Sequence, residues 1–290
     1  MGPYRSVGLS LILGAEVVRW AIGFGAIELP VICALAPWQL TFMLVVLPGL
    51  LMVFLLPLLQ EPPRTPRLTQ TAEPLRWSDV ASYIWPRRGV FEAYLLGAPF
   101  IVLVLSALQA RVPSLLTRAH GLEIVDAGRY CGAIALSAGS AGVLSGPVAA
   151  RWLATRTDPS RAPLITSIWS TSLLIPVLVG AGLTESPRWA LVLITCASYL
   201  VTFPLALFAT GLRSESPNEM RGLMAGCFML STNLIGLAMG PNNVALASDY
   251  IFESTQAVGS SLALVGATVL PMTVLLLWRG LSAGKSGAES

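Results

Sequence analysis

Two ionisable residues stand where an apolar run should exclude them. Glu16 and Arg19 are the only charged residues in the stretch 7–27. Being three apart, they share one face of a helix. A charge inside a bilayer is costly and faces a partner or a water-filled cavity. The pair therefore reads either as a substrate- or proton-coupling pair or as a structural pair packed against another helix. Four amides raise the same alternatives. Gln109 sits near the end of one apolar run, Asn233 lies in the middle of another, and Asn242 and Asn243 follow Gly240-Pro241. Each could hydrogen-bond a passing solute or a neighbouring helix. Gly236 and Gly240, four apart, read as a packing seam, and Pro241 lets the helix bend. Glu219 and Arg221, with Glu215 nearby, border the same run. They are expected either to anchor it at a membrane face or to form an interdomain salt bridge that breaks during a conformational cycle.

Other chemistries lack their residues. The chain has one His and four Cys, with no cluster of metal-ligand spacing. Cys33, Cys131, Cys196 and Cys227 all fall in apolar stretches and read as free packing thiols. His120 stands alone in a loop. There is no phosphate-binding glycine loop and no supported Ser/His/Asp constellation. A multispan membrane enzyme is therefore the weakest reading, and no metal or cofactor is expected.

The elements that must position these residues follow from charge placement. Of the 290 residues, 54% are hydrophobic and 11% charged, with mean hydropathy +0.72. A soluble domain carries ~25% charged residues. This composition excludes a soluble enzyme, a disordered chain and a typical nucleic-acid binder. It implies a lipid bilayer as solvent. Stretches 29–60, 93–110, 130–150, 162–184, 189–212, 222–248 and 254–278 carry no Asp, Glu, Lys or Arg. A spanning helix needs ~20 apolar residues and a membrane strand ~10. With 7–27 added, the expectation is an all-α polytopic membrane protein of eight transmembrane helices, without strands. Arg5 before an apolar run and Ala34-Leu35-Ala36 imitate a signal peptide. Glu16 and Arg19 interrupt that run, so a retained helix is expected.

The basic residues set the orientation. Thirteen fall on one set of loops, among them Arg64, Arg67, Arg76, Arg87, Arg88, Arg151, Arg156, Arg161, Arg213 and Arg221. Arg111, Arg118, Arg129 and Arg188 make up the four on the other side. Cytoplasmic loops carry the excess, so both termini are expected on the cytoplasmic side of the inner membrane. The stretch 61–92 is rich in proline and arginine and reads as a cytoplasmic linker. Within it, 75–84 forms either an amphipathic surface helix, with Leu75, Trp77, Val80 and Ile84 apolar, or a solvated loop. The expected organisation is two helices over 1–60, the linker 61–92, a six-helix bundle over 93–280 and a tail 281–290.

The order of motifs resembles the major facilitator superfamily. Pro37-Trp38-Gln39-Leu40-Thr41-Phe42, Leu47-Pro48-Gly49 and Glu61-Pro62-Pro63-Arg64 resemble its sixth helix. Val112-Pro113-Ser114-Leu115-Leu116-Thr117-Arg118 with Gly121-Leu122 resembles the loop after helix seven. Pro217-Asn218-Glu219-Met220-Arg221-Gly222, Asn233-Leu234-Ile235-Gly236 and Gly240-Pro241 resemble helix eleven of the Spinster-like bacterial branch. The eight helices would then correspond to helices 5–12 of a twelve-helix fold, with the first four lacking. Two positions depart from the pattern. Arg151 stands where the family places an acid that takes part in a cytoplasmic charge relay, with Arg156 following, and Gln39 replaces the usual Arg after Trp38. The resemblance implies a monomeric symporter or antiporter that moves a small solute by alternating access, driven by an ion gradient and first of all by protons. The alternative is a truncated chain that inserts but transports nothing.

Overall fold

The computed structural model describes residues 77–119, 121–251 and 258–286, together with Gly14, Glu16, Arg19, Trp20, 27–29, 32–35, Met43, Val46 and Leu50. Among them six helices are long and apolar enough to cross a membrane. We label them α1 (Val80–Arg118), α2 (Ile124–Ala154), α3 (Ala162–Leu183), α4 (Pro187–Glu215), α5 (Arg221–Ile251) and α6 (Val258–Ala283). They coincide with the last six uncharged stretches. The two expected spans at 7–27 and 29–60 lie mostly outside the described residues. Gly14, Glu16, Arg19 and Trp20 are helical, as are Met43, Val46 and Leu50. His120, the first half of the linker and most of the motif at 37–64 also fall outside.

As expected, none of the six spans is a strand, and the described residues add one short hairpin. Ile27–Leu29 (β1) and Ile32–Leu35 (β2) pair antiparallel, with Leu29 opposite Ile32. At three and four residues these strands are far too short to cross a bilayer, so they add a hairpin and no span.

The helices also outrun the uncharged stretches that announced them. Trp77–Ile84 is helical and continues through a 3-10 turn, Trp85–Arg87, into the rest of α1. Val80 is 5% exposed and belongs to the core, so over 77–84 the helical alternative is realised, docked against the bundle. Tyr83 fixes the docking: its hydroxyl donates to Glu215 O at 3.0 Å, its ring meets Phe91 edge-on, and Arg87 lies over it at 4.5 Å. At the other end of α1, Arg111 sits within the helix, half-buried, and not in the loop to which the charge count assigned it. Its long stem lets the head reach a partner.

Short connections follow local rules. Gly121 adopts φ 67°, a conformation that suits glycine, between α1 and α2. Pro187 opens α4 directly after Ser186, where a missing N–H costs nothing.

Lipid tails are as apolar as leucine, so burial does not drive helices together in a bilayer. Close backbone approach and hydrogen bonds do. α1 is the centre, with 67% of its most apolar window buried, and α5 the periphery, with 11%. α6 packs along α3 and α1 through Leu262, Leu270 and Leu277. α5 meets α1 through its glycines. A Cβ on Gly236 would come within 2.6 Å of Val102 Cγ1, and one on Gly240 would collide with Ser106 Oγ and lie 2.5 Å from Leu103 O. Ser106 Oγ also donates to Gly236 O at 2.8 Å across this seam.

Gly240→Ala is accordingly expected to push α5 off α1 and cost about 1–3 kcal/mol. Gly222, with nothing within 4 Å of its Cβ position, should accept alanine without loss. Thermal unfolding of the two variants in detergent measures the difference; equal midpoints would refute the seam.

Candidate functional site

Glu16 and Arg19 are joined at 2.8 Å, as their spacing predicts. The partner that the spacing could not announce is Arg129, near the start of α2. Arg129 Nε donates to Glu16 Oε1 at 2.7 Å, and its Nη2 donates to the same oxygen. Asp126, three residues earlier on α2, lies 3.7 Å from the other Arg129 nitrogen. Four charges thus form a chain, Arg19–Glu16–Arg129–Asp126, that ties the first helical segment to α2. The side chains are roughly 40–60% exposed. Charge-assisted bonds of this kind orient their partners strongly.

Close to this cluster, α1, α2 and α4 enclose a small cleft. Gln109, Cys131, Ser198 and Thr202 give it polar edges, and Leu108 and Ile194 give it an apolar floor. It holds about 50 Å³, against ~30 Å³ for a water's share of liquid volume. That is room for ordered water. The backbone around it is irregular. α2 carries a π-helical turn at Ala135–Gly139, and α4 breaks its helical ladder at Phe203–Pro204. π turns recur at functional sites. Opposite the break, a Cβ on Gly142 or Gly146 would collide with the carbonyl of Tyr199 or Phe203. Ser145 Oγ and Tyr199 OH share a hydrogen bond of 2.8 Å nearby.

The profile of the Major Facilitator Superfamily matches residues 5–241. The chain belongs to the Major Facilitator Superfamily. Two solved structures of a bacterial homologue of the human lysosomal transporter Spinster share its fold. The inward-facing, unoccupied form is 20% identical with TM-score 0.61, covering 93% of this chain and 63% of its own. The inward-facing, occupied form is 19% identical with TM-score 0.57, covering 98% and 65%. This superfamily member therefore spans a little under two thirds of the length of those structures. No curated protein sequence matches it.

The remaining sequence candidates of this facilitator-fold chain are dispersed. Asn233 lies in a π-helical turn, Thr232–Leu237, yet its exposed amide donates to Met229 O of its own helix at 2.7 Å. Asn242 does the same to Ala238 O at 2.8 Å. Asn243 is half-buried. The interhelical bond at this level comes from Arg111, whose Nη2 donates to Pro241 O at 2.9 Å. Arg221 binds backbone and not a carboxylate: its Nε reaches the carbonyls of Arg213 and Ser216, both at 3.2 Å. The last carbonyls of a helix lack intrahelical donors, and Arg221 supplies one to the end of α4. Glu219 is exposed. Arg151 and Arg156 lie at the far end of α2, with no carboxylate in ion-pair reach among the described residues. Nothing brings these four to the Glu16 cluster. Among the described residues, no three His, Cys, Asp or Glu side chains could share a metal.

Sequence reasoning missed Arg129 because its position after an apparent outer loop made it a topology marker. Its one local signal is Asp126, three residues before, on the same helical face.

If the ion pair ties the first segment to α2, Glu16→Gln and Arg129→Gln should lower the melting midpoint by similar amounts, and the double variant by no more than either. Additive losses would show that the two residues act separately.

Proposed function

We propose that this chain works as a secondary transporter, with a small solute moved by alternating access and an ion gradient, protons first, as the driving force. The observation that carries the reading is the superfamily match over residues 5–241. Two structural features support it. A small cleft with polar edges lies between α1, α2 and α4, and an ion-paired cluster bridges the first segment and α2 beside it. In this reading residues 1–60 belong to one bundle, 61–92 are the cytoplasmic linker, 93–280 form the second bundle and 281–290 a tail. Both termini face the cytoplasm of the inner membrane, because thirteen of the basic residues then lie inside. The chain acts as a monomer and performs no catalysis.

The Glu16–Arg129 bond then lies on the outer side and holds it closed. Opening toward the outside requires the bond to break, since packed interfaces switch between discrete arrangements and do not stretch continuously. Gln109 and the Ser198 and Thr202 hydroxyls become the polar contacts of the opened cleft. Glu16, once freed from Arg129, is the carboxylate available to exchange a proton with the outside.

Cys131, half-buried in the cleft two residues beyond Arg129, reports on opening. With the other three cysteines replaced by serine, Glu16→Gln should raise the rate at which a membrane-impermeant maleimide labels Cys131 severalfold. The exchanged pair Glu16→Arg with Arg129→Glu should restore the slow rate. An unchanged rate in Glu16→Gln overturns the gate. Reconstitution with counterflow over a panel of small solutes tests transport itself, and absence of counterflow for every solute would favour the transport-inactive alternative.

A further inference from the structure

A second, larger hollow lies outside the helical core. α2, α3 and α4 leave an apolar groove of about 760 Å³, walled by Trp152, Trp169, Leu173, Pro176, Leu200 and Phe203. Trp169 is 74% exposed and Trp152 58%. Along α3 the groove runs from Thr166 to Pro176. At 1.5 Å per residue that is roughly 15 Å, about half of a ~30 Å hydrocarbon core. A packed helix would need the full thickness. One leaflet's acyl chain needs about half.

Arginines adjoin the groove at its Trp152 wall, in a neighbouring hollow lined by Arg156 and Arg161. Between residues 151 and 161 the sequence has three arginines and one aspartate. Arg161 Nε is held by Asp158 at 3.4 Å. Arg156 is not so held: its guanidinium lies 4.3 Å over the ring of Trp152, which is itself a wall of the groove. Stacking on an aromatic face leaves the guanidinium edge free to donate to a phosphate. Arg151, exposed, is one residue before Trp152. The hydroxyls at this turn are already used, since Thr155 Oγ1 donates to Trp152 O at 2.7 Å and Thr157 Oγ1 to Leu153 O at 2.9 Å. The free donors are therefore arginines.

We infer that this groove is a site for an anionic phospholipid, with one acyl chain between α2, α3 and α4 and the headgroup phosphate on Arg156, seconded by Arg151. Basic pockets at the ends of membrane helices select anionic headgroups in this way, and each basic residue near a membrane surface is worth about a factor of five in binding. The volume falls within the ~300–1,000 Å³ of small-molecule sites. The inference needs only that the helices cross a bilayer and is independent of transport.

The test is native mass spectrometry of the delipidated full chain, titrated with phosphatidylglycerol or with phosphatidylcholine of the same acyl composition. One phosphatidylglycerol should bind more than fivefold tighter than phosphatidylcholine. Arg156→Ala should weaken phosphatidylglycerol about fivefold and leave phosphatidylcholine unchanged, whereas Arg156→Lys keeps most of the preference. Trp169→Ala should weaken both lipids. Arg188→Ala, an exposed arginine at the start of α4, is the control and should change nothing. Equal retention of the two lipids by the unaltered protein overturns the proposal, as does equal loss in Arg156→Ala and Arg188→Ala. The comparison of lipids on the unaltered protein stands even if a variant fails to fold.

Discussion

Every backbone polar group inside a bilayer must find its partner within the protein. That constraint explains why the chain is helical, and it also explains where its informative side chains sit. A straight helix satisfies itself. Helix ends, breaks and tight crossings invite side-chain donors. Four such donors stitch this bundle: Tyr83 to Glu215 O, Ser106 to Gly236 O, Arg111 to Pro241 O, and Arg221 to the carbonyls of Arg213 and Ser216. All four link different helices, the last joining the start of α5 to the end of α4. The bundle is therefore held by donors delivered to helix ends and to the disturbed stretch of α5, as well as by the apolar seams.

The same constraint separates the cationic residues into kinds that look alike in sequence. Arg221 serves a helix end, Arg111 a helix crossing, and Arg129 a carboxylate from another segment. Arg156 stacks on an indole. All four were first visible as positive charges beside apolar runs, and for Arg111 and Arg129 the sequence offered only a mark of topology. Their separate duties depend on what faces them, and that is decided by tertiary packing.

What could be read from the sequence follows from this. Spans are written locally, as uncharged stretches, so six helices matched their stretches to within a turn or so at most ends. α1 was the exception, because its docked start and the buried stem of Arg111 extend a helix through charged residues. The Glu16–Arg19 pair was legible, being three apart on one helix. Arg129 was not, because 113 residues separate it from Glu16. The Gly236–Gly240 seam was legible from its spacing. Asn233 and Asn242 misled in the opposite sense: an amide within an apolar run invites a partner across a helix interface, but on exposed faces each satisfies its own helix instead.

α2 draws these threads together. Its first turns carry Asp126 and Arg129, its middle carries a π turn and the glycines that lie against the break in α4, and its last turns carry Arg151, Trp152 and the approach to Arg156. Only 28% of its most apolar window is buried, against 67% for α1. A helix so thinly packed is held mainly by what grips its ends and by its close approach to α4. If the Glu16 bond releases one end, α2 stays held to α4 by the Gly142–Gly146 contact with the Tyr199–Phe203 backbone and by the Ser145–Tyr199 hydrogen bond. A lipid phosphate on Arg156 would then resist movement of the opposite end. Both proposed contacts would thus bear on α2, one near each end.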